Sequence, residues 1–226
     1  MESLQFAPRA SVSFRAAGIT KIFGETVALW GVDLVGRSGD LIAAHGTNGS
    51  GKTTLLRIIA GLVAPTRGRV AWTTTSPGTR PRIGLLGHAT HLFEELTAIE
   101  NVVLAARLAR RDEANAIDLL GRLGVGQHGG RRTGELSAGT RRRVGLARAL
   151  VTDPDVLLVD EPFAGLDQPA ADVVERVLGE AGDDGRLVVI ATHDDARSRA
   201  IATSIVRLDE GRLRREAALG LEATAT

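Results

Sequence analysis

The stretch that decides the fold is Gly46-Thr47-Asn48-Gly49-Ser50-Gly51-Lys52-Thr53, which satisfies the pattern G-x-x-x-x-G-K-[ST]. It follows a predicted buried strand at residues 41–44 and opens a predicted helix that ends near Gly61. The glycines let backbone N–H groups turn around a phosphate, the Lys52 ammonium reaches the outer phosphate oxygens, and the Thr53 hydroxyl can ligate Mg²⁺. The alternative is a glycine turn before an ordinary surface lysine. Because the pattern and its strand–helix context agree, they favour nucleotide binding.

The composition limits what such a chain can be. It has 226 residues, 43% hydrophobic, with 28 Lys+Arg against 27 Asp+Glu, and its only lysines are Lys21 and Lys52. This length and apolar content predict one globular domain with a buried core. A net charge of +1 gives no broad basic field, so nucleic acid is not expected as a partner. Without cysteine, disulfides, thiol catalysis, iron–sulfur clusters and cysteine-bound zinc are excluded.

The apolar runs are too short for a membrane span. Runs such as 58–64 and 156–159 fall far below the roughly 20 residues that cross a bilayer. Residues 1–10 carry an acid and a proline and have no apolar stretch of signal-peptide length. The sequence therefore predicts a soluble chain, one that could dock on a membrane partner.

A second predicted strand ends in two carboxylates. Residues 156–159 predict a buried parallel strand, and Asp160 and Glu161 follow it directly. Ligands of open α/β sheets bind beyond the carboxyl ends of the strands. Asp160 can hold a metal, directly or through water, and Glu161 can polarise an attacking water. The alternative is two acids that merely end a strand, and the phosphate loop upstream favours the catalytic interpretation.

A third motif, at residues 136–143, opens a predicted helix. Ser137 is a good N-cap, and Gly139 exposes backbone N–H groups to an anion. Alone it would indicate only a capped helix, with the arginines that follow on a solvated face. The motif indicates more than a capped helix because of its position in the chain, between the phosphate loop and the strand that precedes Asp160.

The remaining patterns predict a core sheet interrupted by a helical arm, which we expect at residues 88–150. Thr97 and Glu100 form a capping-box signature that opens a helix, and β/α alternation resumes after Pro154. The predicted strands are 26–29 and 32–35, which Gly31 separates, and then 83–86 and 187–191. The other predicted helices are 113–123, 136–150 and 173–178. Loops are predicted at 73–82 and 124–134, and a loosely held tail at 212–226.

Taken together, these motifs resemble the ATP-binding subunit of ABC transporters over nearly the whole chain. The combination and its order are highly specific. The matching segments are 46–54, ending in Thr54, for Walker A; 136–143 for the signature LSGGQ; 156–161 for Walker B with its catalytic glutamate; Ala164-Gly165-Leu166-Asp167 for the D-loop; and Thr192-His193 for the switch histidine.

This resemblance implies an α/β fold, with a P-loop NTPase (RecA-like) core, an antiparallel β subdomain and a helical insertion. Residues 1–226 would form one ATP-binding domain, with 1–87 and 151–226 as the catalytic core and 88–150 as the helical signature subdomain. ATP and Mg²⁺ would be the ligands. The partners would be membrane-spanning transporter subunits and a second copy of the chain, which together would place it in the cytoplasm on the inner face of the cell membrane.

The resemblance also implies roles for single residues. In the family, two subunits sandwich two ATP molecules, so Ser137 and Gly139 would touch the γ-phosphate bound by the partner subunit and Asp167 would lie at the dimer seam. His193 would hold the γ-phosphate and water, unless it is a histidine satisfied structurally. Phe23 is similar to the aromatic A-loop residue that stacks on adenine, and the competing interpretation is a buried phenylalanine at a sheet edge.

Two positions depart from the family pattern. The family's Q-loop glutamine, which helps to bind Mg²⁺ and senses the membrane partner, aligns with His88. We hypothesise that His88 substitutes for it as a catalytic and metal-binding residue; the alternative is a loop without its sensor. Thr140 replaces the signature glutamine, and because threonine reaches back to the Ser137 backbone less well, a modest loosening of the helix start is expected.

Motifs in the helical arm resemble the subfamily of haem exporter ATP-binding subunits that serves cytochrome c biogenesis. They are Leu86-Gly87-His88, residues 95–101 and Leu136-Ser137-Ala138-Gly139. An ATPase of a different exporter, or an ABC ATPase acting on nucleic acid or ribosomes, is the alternative. A GTPase is disfavoured because neither lysine sits in an N-K-x-D guanine reader, and no acceptor pocket of a kinase is evident.

Overall fold

The computed structural model describes residues 10–75 and 79–215. These residues form two sheets, one antiparallel and one almost wholly parallel. The strands are β1 (Val12–Phe23), β2 (Thr26–Arg37), β3 (Leu41–His45), β4 (Arg67–Thr74), β5 (Ile83–Leu86), β6 (Val156–Asp160), β7 (Leu187–Thr192), β8 (Ser204–Asp209) and β9 (Arg212–Arg215). The antiparallel sheet has the order β2-β1-β4, and the larger sheet has the order β5-β6-β7-β3-β8-β9, in which β9 alone runs antiparallel to its neighbour.

Six α-helices within those ranges complete the fold: α1 (Lys52–Ile59), α2 (Ala98–Leu108), α3 (Ala114–Arg122), α4 (Ala138–Val151), α5 (Gln168–Asp183) and α6 (Asp195–Ile201). Four of them begin at a side-chain cap, namely Thr97, Ser137, Asp167 and Asp194. The predicted capping box of Thr97 and Glu100 is confirmed, with both reciprocal bonds present. None of these helices is both long and apolar enough to cross a bilayer.

Two buried clusters cover the two faces of the larger sheet. Alternate strand residues such as Leu157 and Val159 face α2 to α5, whereas Val156 and Leu158 face α1 and the antiparallel sheet. A strand that is buried on both faces needs a continuous apolar run, which is what β6 provides. The sheet is therefore a rigid layer that fixes the residues at its strand ends.

The parallel strands bring the predicted site residues to one edge of this sheet. β3, β5, β6 and β7 run in the same direction, so their carboxyl ends meet at the same side. The phosphate loop follows β3, His88 comes two residues after β5, Asp160 ends β6, and His193 follows β7. Residues far apart in the chain are thereby collected at one edge.

The structure corrects three of the local expectations. β2 runs without a break through Gly31, whose φ of 60° marks an irregularity within one strand rather than a division between two. β4 was missed, because arginines alternate with its few apolar residues at a half-exposed edge, and it includes Thr73 and Thr74 of the predicted loop. Residues 212–215 of the predicted loose tail pair with β8, and residues 216–226 lie outside the described residues.

Candidate functional site

The phosphate loop joins β3 to α1 through a backbone that requires glycine. Gly49 and Gly51 have φ of 82° and 104°, in the left-handed region that side chains disfavour. A Cβ on Gly51 would also lie 2.4 Å from the carbonyl oxygen of Ala28 on β2, so the loop is held against the antiparallel sheet. The loop comprises Gly46, Thr47, Asn48, Gly49, Ser50 and Gly51, and the first turn of α1 comprises Lys52, Thr53 and Thr54. The N-terminus of α1 thus adds its positive potential at the end of the loop.

The Lys52 side chain folds back over this loop and is only 6% exposed. Its Nζ donates hydrogen bonds to the carbonyl oxygens of Gly46 at 2.7 Å and Thr47 at 3.1 Å. It also lies 3.6 Å from Oε1 of Glu161, beyond the end of β6. The ammonium therefore lies between the phosphate loop and the residues that follow β6.

Thr53 and Asp160 meet although 107 residues separate them. The Thr53 hydroxyl donates to Oδ2 of Asp160 at 2.7 Å. A hydroxyl and a carboxylate are the hard oxygen donors that Mg²⁺ prefers, so this pair fits the ion that the fold implies. Within residues 10–75 and 79–215, no group of three or more His, Asp or Glu side chains is arranged to hold a metal. The role of His88 as a further ligand thus stays a prediction.

Glu161 lies between two positively polarised partners. Its Oε1 faces Lys52, and its Oε2 is 2.8 Å from Nδ1 of His193, whose side chain is 64% exposed. The backbone of Glu161 has φ of 51° and its N–H donates to the carbonyl oxygen of Ala191 on β7 at 2.6 Å. A left-handed non-glycine residue costs of order 1–3 kcal/mol and is concentrated at functional sites. In this left-handed conformation the Glu161 carboxylate lies against His193.

Phe23 ends β1 at the hairpin and is about half exposed. The competing interpretation of a buried phenylalanine is therefore wrong. Nζ of Lys21 lies 4.7 Å from the centroid of the Phe23 ring, a cation–π contact that leaves much of the side chain open to solvent. Both lysines of the chain thus lie beside residues of the candidate site.

The start of α4 is formed by the signature segment. Oγ of Ser137 accepts a hydrogen bond from the Thr140 backbone N–H at 3.2 Å, and the two hydroxyl oxygens are 2.9 Å apart. Thr140 thus bonds to the cap hydroxyl rather than completing a capping box. A Cβ on Gly139 would lie 2.7 Å from the carbonyl oxygen of Gly165, so the signature packs closely on the D-loop. Asp167 is exposed and caps α5 through Oδ1.

Arg142 is a site residue that the sequence did not single out. The alternative interpretation, in which these arginines lie on a solvated helix face, is wrong for Arg142, because the residue is 7% exposed. Nη1 donates to the carbonyl oxygen of His88 at 3.3 Å, and Nη2 donates to the carbonyl oxygen of Asp160. Burial lowers the pKa of Arg142 below the usual arginine value, although the charges of Asp160 and Glu161 oppose this shift. One guanidinium thus joins α4 to the segment after β5 and to the last residue of β6, while the His88 side chain is exposed.

The run of three arginines indicates that one of them faces inward, but not which one or what it contacts. Residues 141–143 lie in one turn of α4, and successive positions on a helix are 100° apart. The three positions therefore span about 200° of the helix, and because buried residues occur on most sides of α4, at least one of the arginines faces inward. Arg143 also bonds inward, to the carbonyl oxygens of Leu123 and Gly124 at 3.1 Å each.

A family model described as ABC transporter matches residues 29–164. Over 225 aligned residues the chain is 34% identical to the lipoprotein-releasing system ATP-binding protein LolD of Chromohalobacter salexigens, with 91% of this chain and 94% of that protein covered. It is 37% identical to the sulfate/thiosulfate import ATP-binding protein CysA 2 of Rhizobium meliloti, covering 87% of this chain and 57% of that protein. It is 38% identical to the macrolide export ATP-binding/permease protein MacB of Rhodopseudomonas palustris, covering 82% and 30%.

Solved structures show the same architecture. The dimeric, post-hydrolysis state of the ATP-binding cassette MJ0796 bound to ADP and Pi matches with a TM-score of 0.84 and 29% identity, covering 92% of this chain and all of that one. An ATP binding subunit of an ABC transporter matches with a TM-score of 0.80 and 26% identity, covering 91% and 90%. The expected α/β fold, a P-loop core with an antiparallel β subdomain and a helical insertion, is confirmed.

Proposed function

The chain belongs to the ABC transporter family as an ATP-hydrolysing domain, and from this premise we propose that it binds Mg-ATP and drives transport through separate membrane subunits. One observation carries the proposal: Glu161 contacts both Lys52 of the phosphate loop and His193 after β7. One contact network thus contains the residues that we propose as phosphate anchor, carboxylate base and orienting histidine. Such a network suits in-line attack of water on a phosphoryl group.

The proposed roles follow from these contacts. The loop amides and Lys52 bind the phosphates of ATP, and Glu161 takes the proton of the attacking water. His193, hydrogen-bonded to Glu161, orients that carboxylate and reaches the γ-phosphate. Thr53 and Asp160 would hold Mg²⁺, which neutralises charge on the β- and γ-phosphate oxygens when it is bound.

We propose that two copies of the chain form the closed site. Ser137 and Gly139 begin α4, where helix amides and a hydroxyl present hydrogen-bond donors suited to a phosphate. Ser137 bonds to Thr140, and Gly139 packs against Gly165, both outside the phosphate loop of their own chain. In a sandwich they would complete the partner's phosphate site, with Asp167 at the seam. The match to a dimeric cassette supports this arrangement.

Phe23 is the proposed adenine platform. Its half-exposed ring gives a flat apolar face, and a base stacked there would bury area that water now covers. The adjacent Lys21 cation lies over the same ring at 4.7 Å, so the ring is held in place before any base arrives.

His88 is proposed to take the part of the Q-loop glutamine. Arg142 fixes the His88 backbone, and the side chain is exposed beyond the end of β5, beside the strand that carries Asp160. Replacing His88 by alanine should lower the rate of phosphate release about tenfold at a fixed pH, since a polar positioning group is lost. His88→Gln should restore most of that rate. His128→Gln, in the helical segment, is the control; an unchanged rate in His88→Ala would show that the loop lacks its sensor.

A finer proposal is that the cargo is haem destined for cytochrome c maturation. It rests on the arm motifs, above all the exposed His88 in Leu86-Gly87-His88 and the segment at 95–101 that opens α2. Partner choice is expected to depend on this arm rather than on the ATP site, because ATP chemistry is common to transporters of unrelated cargo.

Isolation of the chain from its native membranes tests the function and the cargo together. The expected result is co-purification with integral membrane subunits, whose presence raises the rate of ATP hydrolysis. Haem retained by that complex would support the finer proposal, and another retained cargo would replace it. Recovery of the chain with ribosomes or RNA, in place of membrane subunits, would overturn the transport function.

A further inference from the structure

His45, the last residue of β3, is a buried histidine next to the phosphate loop. It is 3% exposed, and Gly46 follows it directly. Nε2 of its ring lies 2.5 Å from Oγ of Ser198, and Nδ1 lies 2.6 Å from Oδ1 of Asp195. Both partners belong to α6, which begins two residues after His193. The ring therefore joins the strand that leads into the phosphate loop to the helix that follows the switch histidine.

The order Ser–His–Asp might suggest a hydrolytic triad, but the geometry excludes this function. Ser198 is 0% exposed, so no substrate reaches its hydroxyl. Its oxygen also lies 2.6 Å from the Asp194 carbonyl oxygen, to which the hydroxyl donates its only proton. A serine whose proton is committed in this way cannot give that proton to His45.

The protonation of the ring follows from the same proton count. Because the Ser198 hydroxyl already donates to a carbonyl, its oxygen must accept from Nε2–H of His45. Nδ1 lies 2.6 Å from a carboxylate oxygen of Asp195, at the distance of an ion pair rather than in an aligned hydrogen bond. The nearby negative charge favours a proton on Nδ1. With protons on both nitrogens the ring would be an imidazolium, which is the state that the proposal below assigns to it.

The groups around His45 are consistent with a charged ring. From α6 it faces Asp195 and Ser198, and its neighbours across the sheet are Thr192 of β7 and Arg207 of β8. Asp195 also accepts from Nε of the nearby Arg199 at 2.7 Å. That bond, with the charges of His45 and Arg207, lowers the pKa of Asp195, so its carboxylate stays ionised at neutral pH.

We propose that His45 is a positioning residue for the hydrolysis proposed above: its doubly protonated ring fixes α6, and through α6 the His193 side chain, relative to the phosphate loop. The link is short. Asp194 caps α6 and its N–H donates to Oγ of Thr192 at 3.0 Å, so His193 lies in a segment held at both ends. Deprotonation of His45 at high pH removes the ion pair with Asp195 and loosens that segment.

The protonation state is tested by nitrogen NMR of the histidine rings in the purified chain. The signal that disappears in His45→Gln identifies His45. Both of its nitrogens should be protonated at pH 7, and in Asp195→Asn the second proton should be lost at a lower pH than in the wild type. A His45 ring with one protonated nitrogen at pH 7 would overturn the proposal.

The positioning role is tested by kcat and KM for ATP across pH 6–9. His45→Gln should lower kcat about tenfold with KM changed less than about twofold, because misplacing a catalytic group mainly slows the chemical step. In the wild type, kcat should fall at high pH because the segment that carries His193 loosens. This fall should vanish in His45→Gln and persist in His128→Gln. Should His45→Gln not fold, Asp195→Asn should shift the fall to lower pH. Rates and pH profiles equal to the wild type would contradict the role.

The two proposals fail separately. A wild-type chain that hydrolyses no ATP would overturn the proposed function alone. The ring resonances of His193 then still report on positioning, since His45→Gln should shift them and His128→Gln should not. Unshifted His193 resonances in His45→Gln would refute the positioning role whatever the activity.

Discussion

Replacing Glu161 by glutamine is expected to stop ATP hydrolysis and to leave ATP binding intact. The amide is nearly isosteric with the carboxylate, so the bond to His193 can remain, but it cannot accept a proton from water. Loss of a general base costs typically 10²–10⁴-fold in rate, and we expect a fall of that order in kcat. Lys52 and the phosphate loop are unchanged, so the nucleotide should still bind.

Size exclusion in the presence of ATP gives the matching structural readout. A site that binds ATP but does not cleave it should hold two copies of Glu161→Gln together, through the signature segments that begin at Ser137. Glu95→Gln is the matched control. The Glu95 side chain is 91% exposed, so its replacement should leave the chain active. A Glu161→Gln variant that hydrolyses normally and stays monomeric with ATP would refute both the base and the sandwich.

The sequence predicted which residues lie at this edge of the sheet because each of these motifs follows or ends a strand. Residues 156–159 form an apolar run that must be buried on both faces, so Asp160 and Glu161 had to emerge at the carboxyl end of the sheet. The same logic placed His193 after β7 and Lys52 after β3. Parallel pairing of those strands then makes their convergence a necessity of the topology.

Other contacts depend on packing that no local pattern reveals. His45 and Ser198 are separated by 153 residues, and nothing near His45 in the sequence announces a partner. Arg142 belongs to a run of three arginines whose composition is typical of a solvated face, yet its guanidinium bonds to carbonyl oxygens of two other segments. Both are polar residues at buried positions, which the apolar periodicity of helices and strands does not detect.

The antiparallel sheet was the least predictable part for a similar reason. β4 alternates charged and apolar residues at a sheet edge, and only its pairing with β1 identifies it as a strand. Its contribution to function is indirect. The antiparallel sheet holds β1 and β2 in place. It thereby positions Phe23 and the Ala28 backbone against which Gly51 packs.

Lys52→Arg is expected to abolish high-affinity ATP binding although it preserves the charge. The Lys52 ammonium is 6% exposed and fits between two loop carbonyl oxygens and the Glu161 carboxylate. A guanidinium is larger and planar and carries five N–H donors, which this narrow space cannot all satisfy. Each buried donor left without a partner costs about 1–3 kcal/mol, so a loss of at least tenfold in affinity and about a hundredfold in hydrolysis is expected.

Lys21→Arg is the matched control, since Lys21 and Lys52 are the two lysines of the chain. Lys21 donates to the Ala64 carbonyl oxygen at an exposed position and lies over the Phe23 ring, and arginine can do both. Equilibrium binding of ATP and the melting temperature should be measured for both variants. Binding should fall in Lys52→Arg alone. The melting temperature of Lys52→Arg should fall as well, because the same unsatisfied donors destabilise the folded chain, whereas Lys21→Arg should melt near the wild-type temperature. Wild-type affinity in Lys52→Arg would mean that the loop requires only a positive charge, whatever its shape.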